Sequence, residues 1–257
     1  MDDPHRHPSA EPHTHTDCGH DHGPPAQHDH LPPSNATAIV LLAASNGARR
    51  GALTRLRPPY GASDLPKPER ALDRMRRVLN PKAPWTRWIV VSDRGEAGEP
   101  VRRATAPWAS PVLCTTEGPQ PSAACGLGPG DNTSHALRAG LRVAFQTSQP
   151  PQAALVWSAD RPLTSTAALT RLLTCGTAQL TRPHLPWVRI LTRQGDLSAI
   201  GQPAIISQQA AHHLIETHTD LPEAIASGAL LVQRVLTPEP WPWTVIQSQA
   251  DSAPFAG

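Results

Sequence analysis

Residues 38–51 read Ala-Ile-Val-Leu-Leu-Ala-Ala-Ser-Asn-Gly-Ala-Arg-Arg-Gly. The uninterrupted aliphatic opening is the pattern of a strand covered on both faces, as in the interior of a mainly parallel sheet. Small residues, a glycine and two arginines follow directly, so the spacing predicts a loop at the carboxyl end of that strand. Open α/β sheets bind their ligands at such ends. Amides in a loop of small residues approach phosphate closely, and guanidinium groups neutralise it.

Outward from this stretch, short aliphatic runs at 88–92, 111–115, 153–158 and 187–192 predict further strands. Amphipathic stretches at 69–79, 133–146, 166–175 and 208–218 predict the helices between them. That alternation belongs to a mainly parallel α/β sheet. At 155–163, Leu-Val-Trp-Ser-Ala-Asp-Arg-Pro-Leu, a strand ends in an acid and a chain-turning proline. Asp160 is thereby placed at the carboxyl edge of the sheet, with Thr164, Ser165 and Thr166 available to cap the next helix.

The chain divides near residue 35. Residues 1–30 contain no Leu, Val, Ile, Phe or Trp, too little apolar area to offset the entropy of ordering, so residues 1–35 are expected to be a disordered arm and residues 36–257 one domain. The arm carries His5 and His7, His13 and His15, His20 and His22, and His28 and His30, four His-x-His pairs seven or eight residues apart. Two imidazoles one residue apart lie on the same side of an extended chain and can chelate Zn²⁺, Ni²⁺ or Cu²⁺. A low-complexity solubilising tail is the other reading of the same composition.

Across all 257 residues the formal net charge is +2 and aromatic residues are 4%. A broad basic surface interleaved with stacking side chains is therefore absent, which argues against a nucleic-acid partner. No apolar run approaches the roughly 18 to 20 residues of a membrane span, and the N-terminus lacks the basic and apolar regions of a secretion signal. A cytoplasmic protein is expected. Its four cysteines are widely spaced with no C-x-x-C, and they suggest no metal or redox motif. Lys67 and Lys82 are the only lysines.

Residues 42–51 resemble the opening motif of the nucleotidyltransferase superfamily that contains the MobA-like molybdenum-cofactor nucleotidyltransferases and the sugar-1-phosphate nucleotidyltransferases. In that family L-A-A/G-G-x-x-x-R-x-G wraps a triphosphate. Leu42, Ala43, Ala44, Gly47, Arg49 and Gly51 stand at the matching positions, and Ser45 stands where the family has glycine. Pro66-Lys67 is similar to a P-K pair of the sugar-nucleotide branch. Asp160-Arg161-Pro162-Leu163 resembles the family's D-x-P-L segment, which implies that Asp160 holds Mg²⁺ against the nucleotide phosphates. Residues 137–141, Leu-Arg-Ala-Gly-Leu, resemble an S-L-R-A-G-L stretch beside the nucleotide and bring in Arg138 and Gly140. Gly201-Gln202-Pro203-Ala204 is similar to a G-H-P-V segment near the acceptor. Asp251-Ser252-Ala253-Pro254 is similar to a D-x-D-T-P motif, which makes Asp251 a second Mg²⁺ ligand.

The resemblance implies a three-layer α/β/α Rossmann-like, GT-A-like domain. It implies transfer of a nucleoside monophosphate from an NTP, GTP or CTP, to a small phosphorylated acceptor, with pyrophosphate released. Asp160, Arg49 and Lys67 are then the catalytic set. Transfer of this kind is positioning and charge stabilisation, without a nucleophilic side chain. A molybdopterin-type acceptor fits the D-R-P-L and L-R-A-G-L segments. A sugar 1-phosphate, as in a mannose-1-phosphate guanylyltransferase, fits Leu53-Thr54-Arg55 and Pro66-Lys67. A third reading keeps the fold without catalysis and makes the chain a His-rich metal-binding protein.

Overall fold

Strand β1 (Thr37–Ala43) is buried along its entire length, and its side chains divide by parity between two cores. Ile39, Leu41 and Ala43 pack with Leu72, Met75, Leu169 and Leu172 on one face of the sheet. Ala38, Val40 and Leu42 pack with Leu137, Leu141 and Leu214 on the other. Covering both faces by helices is what an uninterrupted aliphatic strand requires. The computed structural model describes residues 37–44, 46–56, 68–79, 87–114, 131–174, 185–193, 196–240, 242 and 244–246.

Around β1 the described chain contributes helix α1 (Asn46–Leu53), a two-residue pairing of β2 (Arg55–Leu56) with β3 (Glu69–Arg70), helix α2 (Ala71–Val78), β4 (Arg87–Asp93), α3 (Glu99–Thr105) and β5 (Ser110–Cys114). It continues through α4 (Asp131–Phe145), β6 (Ala153–Ser158), α5 (Thr166–Thr174), β7 (Trp187–Arg193), β8 (Asp196–Ser207), α6 (Gln208–Thr217), α7 (Leu221–Ala226) and β9 (Leu231–Thr237). The main sheet has seven strands in the order β5-β4-β1-β6-β8-β7-β9. β8 alone runs antiparallel to its neighbours β6 and β7. Helices α1, α2, α3 and α5 cover one face, and α4, α6 and α7 the other. The three-layer α/β/α architecture expected from the sequence is the one observed, and no helix among the described residues is long and apolar enough to cross a membrane.

All five expected strands are present within a residue at either end. Three corrections apply. Residues 46–51, read as part of a phosphate-wrapping loop, lie in helix α1, because Ala48 and Ala52 are strong helix formers whose methyl groups bury against the domain. The helix expected from residue 69 begins at Ala71, because Glu69 and Arg70 pair with Leu56 and Arg55 as an antiparallel ladder. Strands β8 and β9 and helices α3 and α7 were not anticipated.

Gly140, assigned to the nucleotide by resemblance, sits inside α4 against the sheet. A Cβ there would lie 2.5 Å from Val40 Cγ1 and 2.9 Å from Val91 Cγ2, so the glycine lets the helix approach the branched residues of β1 and β4. Replacing Gly140 by alanine should therefore destabilise the protein by about 1–3 kcal/mol, although alanine is the better helix former. Thermal denaturation of the variant beside the parent protein measures the effect.

Candidate functional site

The sheet's strand order reverses at β1. The chain moves from β1 to β4 and β5 on one side, then crosses to β6 on the other, and the connecting helices α2 and α4 lie on opposite faces. The carboxyl ends of β1 and β6 therefore flank a topological switch point, where a crevice opens above an α/β sheet. Ala44 and the start of α1 follow β1 at that edge, and Ala159 and Asp160 follow β6. The two ends are joined directly by the Ala159 amide, which donates to the Leu42 carbonyl at 2.9 Å.

Asp160 has no exposed surface. The Ser158 hydroxyl donates to its Oδ1 at 2.6 Å, which fixes the carboxylate relative to the strand end. The turn after it is secured from several elements. The Ile246 amide donates to the Asp160 carbonyl at 2.6 Å, and Trp157 Nε1 to the Arg161 carbonyl at 2.8 Å. Arg74 of α2 donates to the carbonyls of Pro162 and Thr164. Downstream, the Ser165 hydroxyl accepts from the Ala168 amide at 3.0 Å and so caps α5, as the sequence led us to expect of the Thr164 to Thr166 cluster.

One residue that sequence reasoning undervalued joins this region, and another that it missed lies on β7. Gln202 of β8 is fully buried, and its Oε1 accepts from the Ser158 amide at 2.6 Å. Its own carbonyl receives the Thr164 hydroxyl at 2.6 Å, so Gln202 ties β8 to both ends of the Asp160 turn. The G-Q-P-A segment was the available signal. Thr192 near the end of β7 is also buried, and its hydroxyl has no hydrogen-bond partner among the described residues. No sequence signal marks it.

The other expected site residues divide between this region and the rest of the fold. The Arg138 guanidinium donates to the His218 carbonyl at 3.1 Å and lies 3.7 Å from the Asp220 carboxylate. It thereby closes α6, whose last turn ends at His218 in the left-handed conformation with φ of 57°. This bonding accounts for Arg138 without a nucleotide. Gly51 does lie at the site, but against protein: a Cβ would fall 2.5 Å from the Ile246 carbonyl oxygen and 2.6 Å from Asp160 Cα. Leu42, Ala43 and Ala44 are buried, the first two within β1 and the third just past it. The backbone of Gly47 and Arg49 belongs to α1, while the Arg49 side chain, Ser45, Lys67, Asp251 and residues 1–36 with all eight paired histidines lie outside the described residues.

A cavity of about 730 Å³ lined by Leu53, Arg70, Glu96, Glu99, Pro100, Arg103 and Ala104 opens between α1 and α3. Its lining includes no residue of the Asp160 turn, and its four charged side chains balance in sign. The turn, with its buried carboxylate and neighbouring polar groups, is the stronger candidate for chemistry.

No protein-family model and no curated protein matches the chain. Solved structures do. The fold is similar to that of Rv0371c from Mycobacterium tuberculosis H37Rv, with 16% identity, a TM-score of 0.56, and coverage of 84% of this chain and 95% of that one. A complex of Rv0371c with manganese gives 20% identity, a TM-score of 0.54 and the same coverage, 84% and 95%. 4-Diphosphocytidyl-2C-methyl-D-erythritol synthase from Anaerococcus prevotii DSM 20548 gives 10% identity, a TM-score of 0.51, and coverage of 84% and 92%. The likeness is one of fold.

Proposed function

We propose that the chain is a nucleotidyltransferase that binds an NTP with a divalent cation at the carboxyl ends of β1 and β6. It passes the nucleoside monophosphate to a small phosphorylated acceptor and releases pyrophosphate. The observation that carries this reading is Asp160. A buried carboxylate, oriented by Ser158, stands at the topological switch point, with Gly51 of α1 packed against its Cα.

The donors fit the cation. Asp160 and Ser158 offer hard oxygen, which suits Mg²⁺ or Mn²⁺, and nucleotide phosphates complete such a shell, so one or two protein carboxylates are enough. A manganese complex of a protein with the same fold supports that choice. When bound, the cation neutralises charge on the triphosphate. The amides at the start of α1 face the same edge and favour phosphate, and Arg49 and Lys67 add positive charge against the leaving pyrophosphate. Asp251, five residues past the Ile246 that is anchored to Asp160, is the second carboxylate that the resemblance implies. Because Asp160 is fully buried, the residues over it must move for the nucleotide to enter.

For the acceptor, the D-R-P-L segment supports a molybdopterin-type phosphate. The bonding of Arg138 and the packing of Gly140 remove the L-R-A-G-L stretch from that argument. The similar synthase adds a methylerythritol phosphate to the acceptors to be assayed, next to sugar 1-phosphates.

The test is a calorimetric and thermal-shift titration of protein lacking residues 1–34 with the common NTPs, with and without Mg²⁺, followed by assay of pyrophosphate release. Magnesium-dependent binding of one NTP is expected. Absence of binding at millimolar NTP overturns the proposal. The four His-x-His pairs independently support a second reading, in which the arm binds Zn²⁺, Ni²⁺ or Cu²⁺. Deleting residues 1–34 should abolish that binding and leave the NTP site intact, whereas a His-rich metal-binding protein without catalysis would show no turnover in either form.

A further inference from the structure

We propose that Arg74 is a positioning residue for the cation site, acting through the turn that follows Asp160; the inference rests on the nucleotidyltransferase reading above. Arg74 belongs to α2 and is fully buried, 86 residues before Asp160 in the chain. Burying a guanidinium is costly unless its donors are satisfied, and such groups are kept where a charged, forked donor has a specific task. The targets here are the Pro162 and Thr164 carbonyls, two and four residues past Asp160.

The arrangement forms a clamp. Moving along the turn, the Asp160 carbonyl is held by the Ile246 amide, the Arg161 carbonyl by Trp157 Nε1, and the Pro162 and Thr164 carbonyls by Arg74. The Arg161 amide closes the turn onto the Ser158 carbonyl at 3.1 Å. Trp157 belongs to β6, the strand that Asp160 follows, and Ile246 belongs to a short segment near the C-terminus. Of these donors, Arg74 couples the turn to a regular element of another layer, and it is the charged one. Hydrogen bonds from ionised donors are roughly twice as strong as neutral ones. Its fork spans two carbonyls, so it sets the path of the chain where Asp160 leaves β6 and thereby the direction of the carboxylate that Ser158 steadies. Groups that orient a metal-binding carboxylate from outside the coordination shell alter metal affinity by about 10- to 100-fold when removed.

The experiment compares Arg74→Met and Arg74→Lys in the full-length chain. Lysine keeps the charge and loses the fork. Mn²⁺ binding is measured by electron paramagnetic resonance with CTP present and then with GTP, subtracting the signal of Asp160→Asn to remove any contribution from the histidine arm. Leu214→Ala, a cavity on the opposite face of the sheet, serves as a destabilised control at a temperature where every variant is folded. Expected are Mn²⁺–nucleotide dissociation constants about tenfold or more higher in Arg74→Met, a smaller rise in Arg74→Lys, an altered Mn²⁺ line shape in both, partial recovery of Arg74→Met with added methylguanidinium, and no change in Leu214→Ala. Affinities within twofold of the parent in both Arg74 variants, while Asp160→Asn abolishes the signal, overturn the inference and leave the function standing. An equal loss in Leu214→Ala, or failure of both Arg74 variants to fold, assigns Arg74 to the core alone and overturns it as well. No Mn²⁺–nucleotide signal in the parent overturns both readings.

Discussion

Replacing Asp160 by asparagine is expected to weaken divalent-cation-dependent NTP binding by a factor of about 100 or more and to remove turnover with it. The same change should leave the fold intact. Asparagine has nearly the shape of aspartate and keeps an oxygen that accepts the Ser158 hydroxyl, while the cost of holding a carboxylate in a position with no exposed surface disappears. Sites built for ligands commonly give up stability in this way, so the midpoint of thermal unfolding in ligand-free Asp160→Asn should equal or exceed that of the parent. Asp160→Ala separates the two effects. It also loses nucleotide binding, but it strips the Ser158 hydroxyl of its acceptor and opens a small void. That costs about 1–3 kcal/mol, and at roughly 2–4 °C per kcal/mol for a domain of this size the midpoint should drop by several degrees. Calorimetric titration with Mg²⁺ and NTP, run beside scanning calorimetry without ligand, reads both quantities. Unimpaired Mg²⁺–NTP binding in Asp160→Asn would remove the carboxylate from the site.

What the sequence disclosed and what it hid follow from the range of the interactions involved. β1, β4, β6 and β7 are short aliphatic runs whose burial is written in consecutive residues, and β5 shows the same kind of run although Pro111 and Leu113 are exposed. β8 is different: Gly201, Gln202 and Pro203 interrupt its apolar pattern, and its pairing with β7 shifts register twice, so local alternation fails as a signal. β9 closes one edge of the sheet with Gln233 and Arg234 in its middle and with Leu231 and Leu236 each 53% exposed, which resembles a surface segment when read alone. At the site, Asp160 and the Ser165 cap were legible because each depends on a few adjacent residues. The bond from the Ser158 amide to Gln202 spans 44 positions and the Arg74 bonds span 88 and 90, distances at which register and helix placement, not composition, decide what touches what. Arg138 and Gly140 illustrate the converse: the structure gives each a role within the fold. Arginine and glycine also serve helix capping and close packing, and a motif match does not distinguish those uses from ligand contact.

Gly51 offers a test between those two uses. By resemblance it is a glycine that lets a loop approach phosphate; in the structure it lies in helix α1, wedged against the Ile246 carbonyl oxygen, Asp160 Cα and the Ala159 carbonyl oxygen at 2.5, 2.6 and 2.9 Å from an ideal Cβ. All three neighbours are backbone atoms, so no side-chain rotation relieves the contact. Gly51→Ala in an unencumbered helix would stabilise by up to about 1 kcal/mol. Here the methyl must either push α1 away from the end of β6 or lift the segment at Ile246, which would break its 2.6 Å bond to the Asp160 carbonyl and disturb the cluster of Leu56, Ala71, Leu163 and Ile246. Overpacking of this kind costs about 1–3 kcal/mol and occasionally more, and the rigid neighbours place Gly51→Ala at the upper end. The ligand-free protein should therefore unfold roughly 5–10 °C lower, and Mg²⁺–NTP affinity should fall as the Asp160 turn loses one of its anchors. Gly140→Ala presses instead on two valine side chains, so it should lower stability less and leave affinity alone. Scanning calorimetry of ligand-free Gly51→Ala decides the matter: an unchanged midpoint combined with lost NTP binding would return Gly51 to direct phosphate contact, whereas a lowered midpoint makes it the residue that lets α1, β6 and the C-terminal segment meet around Asp160.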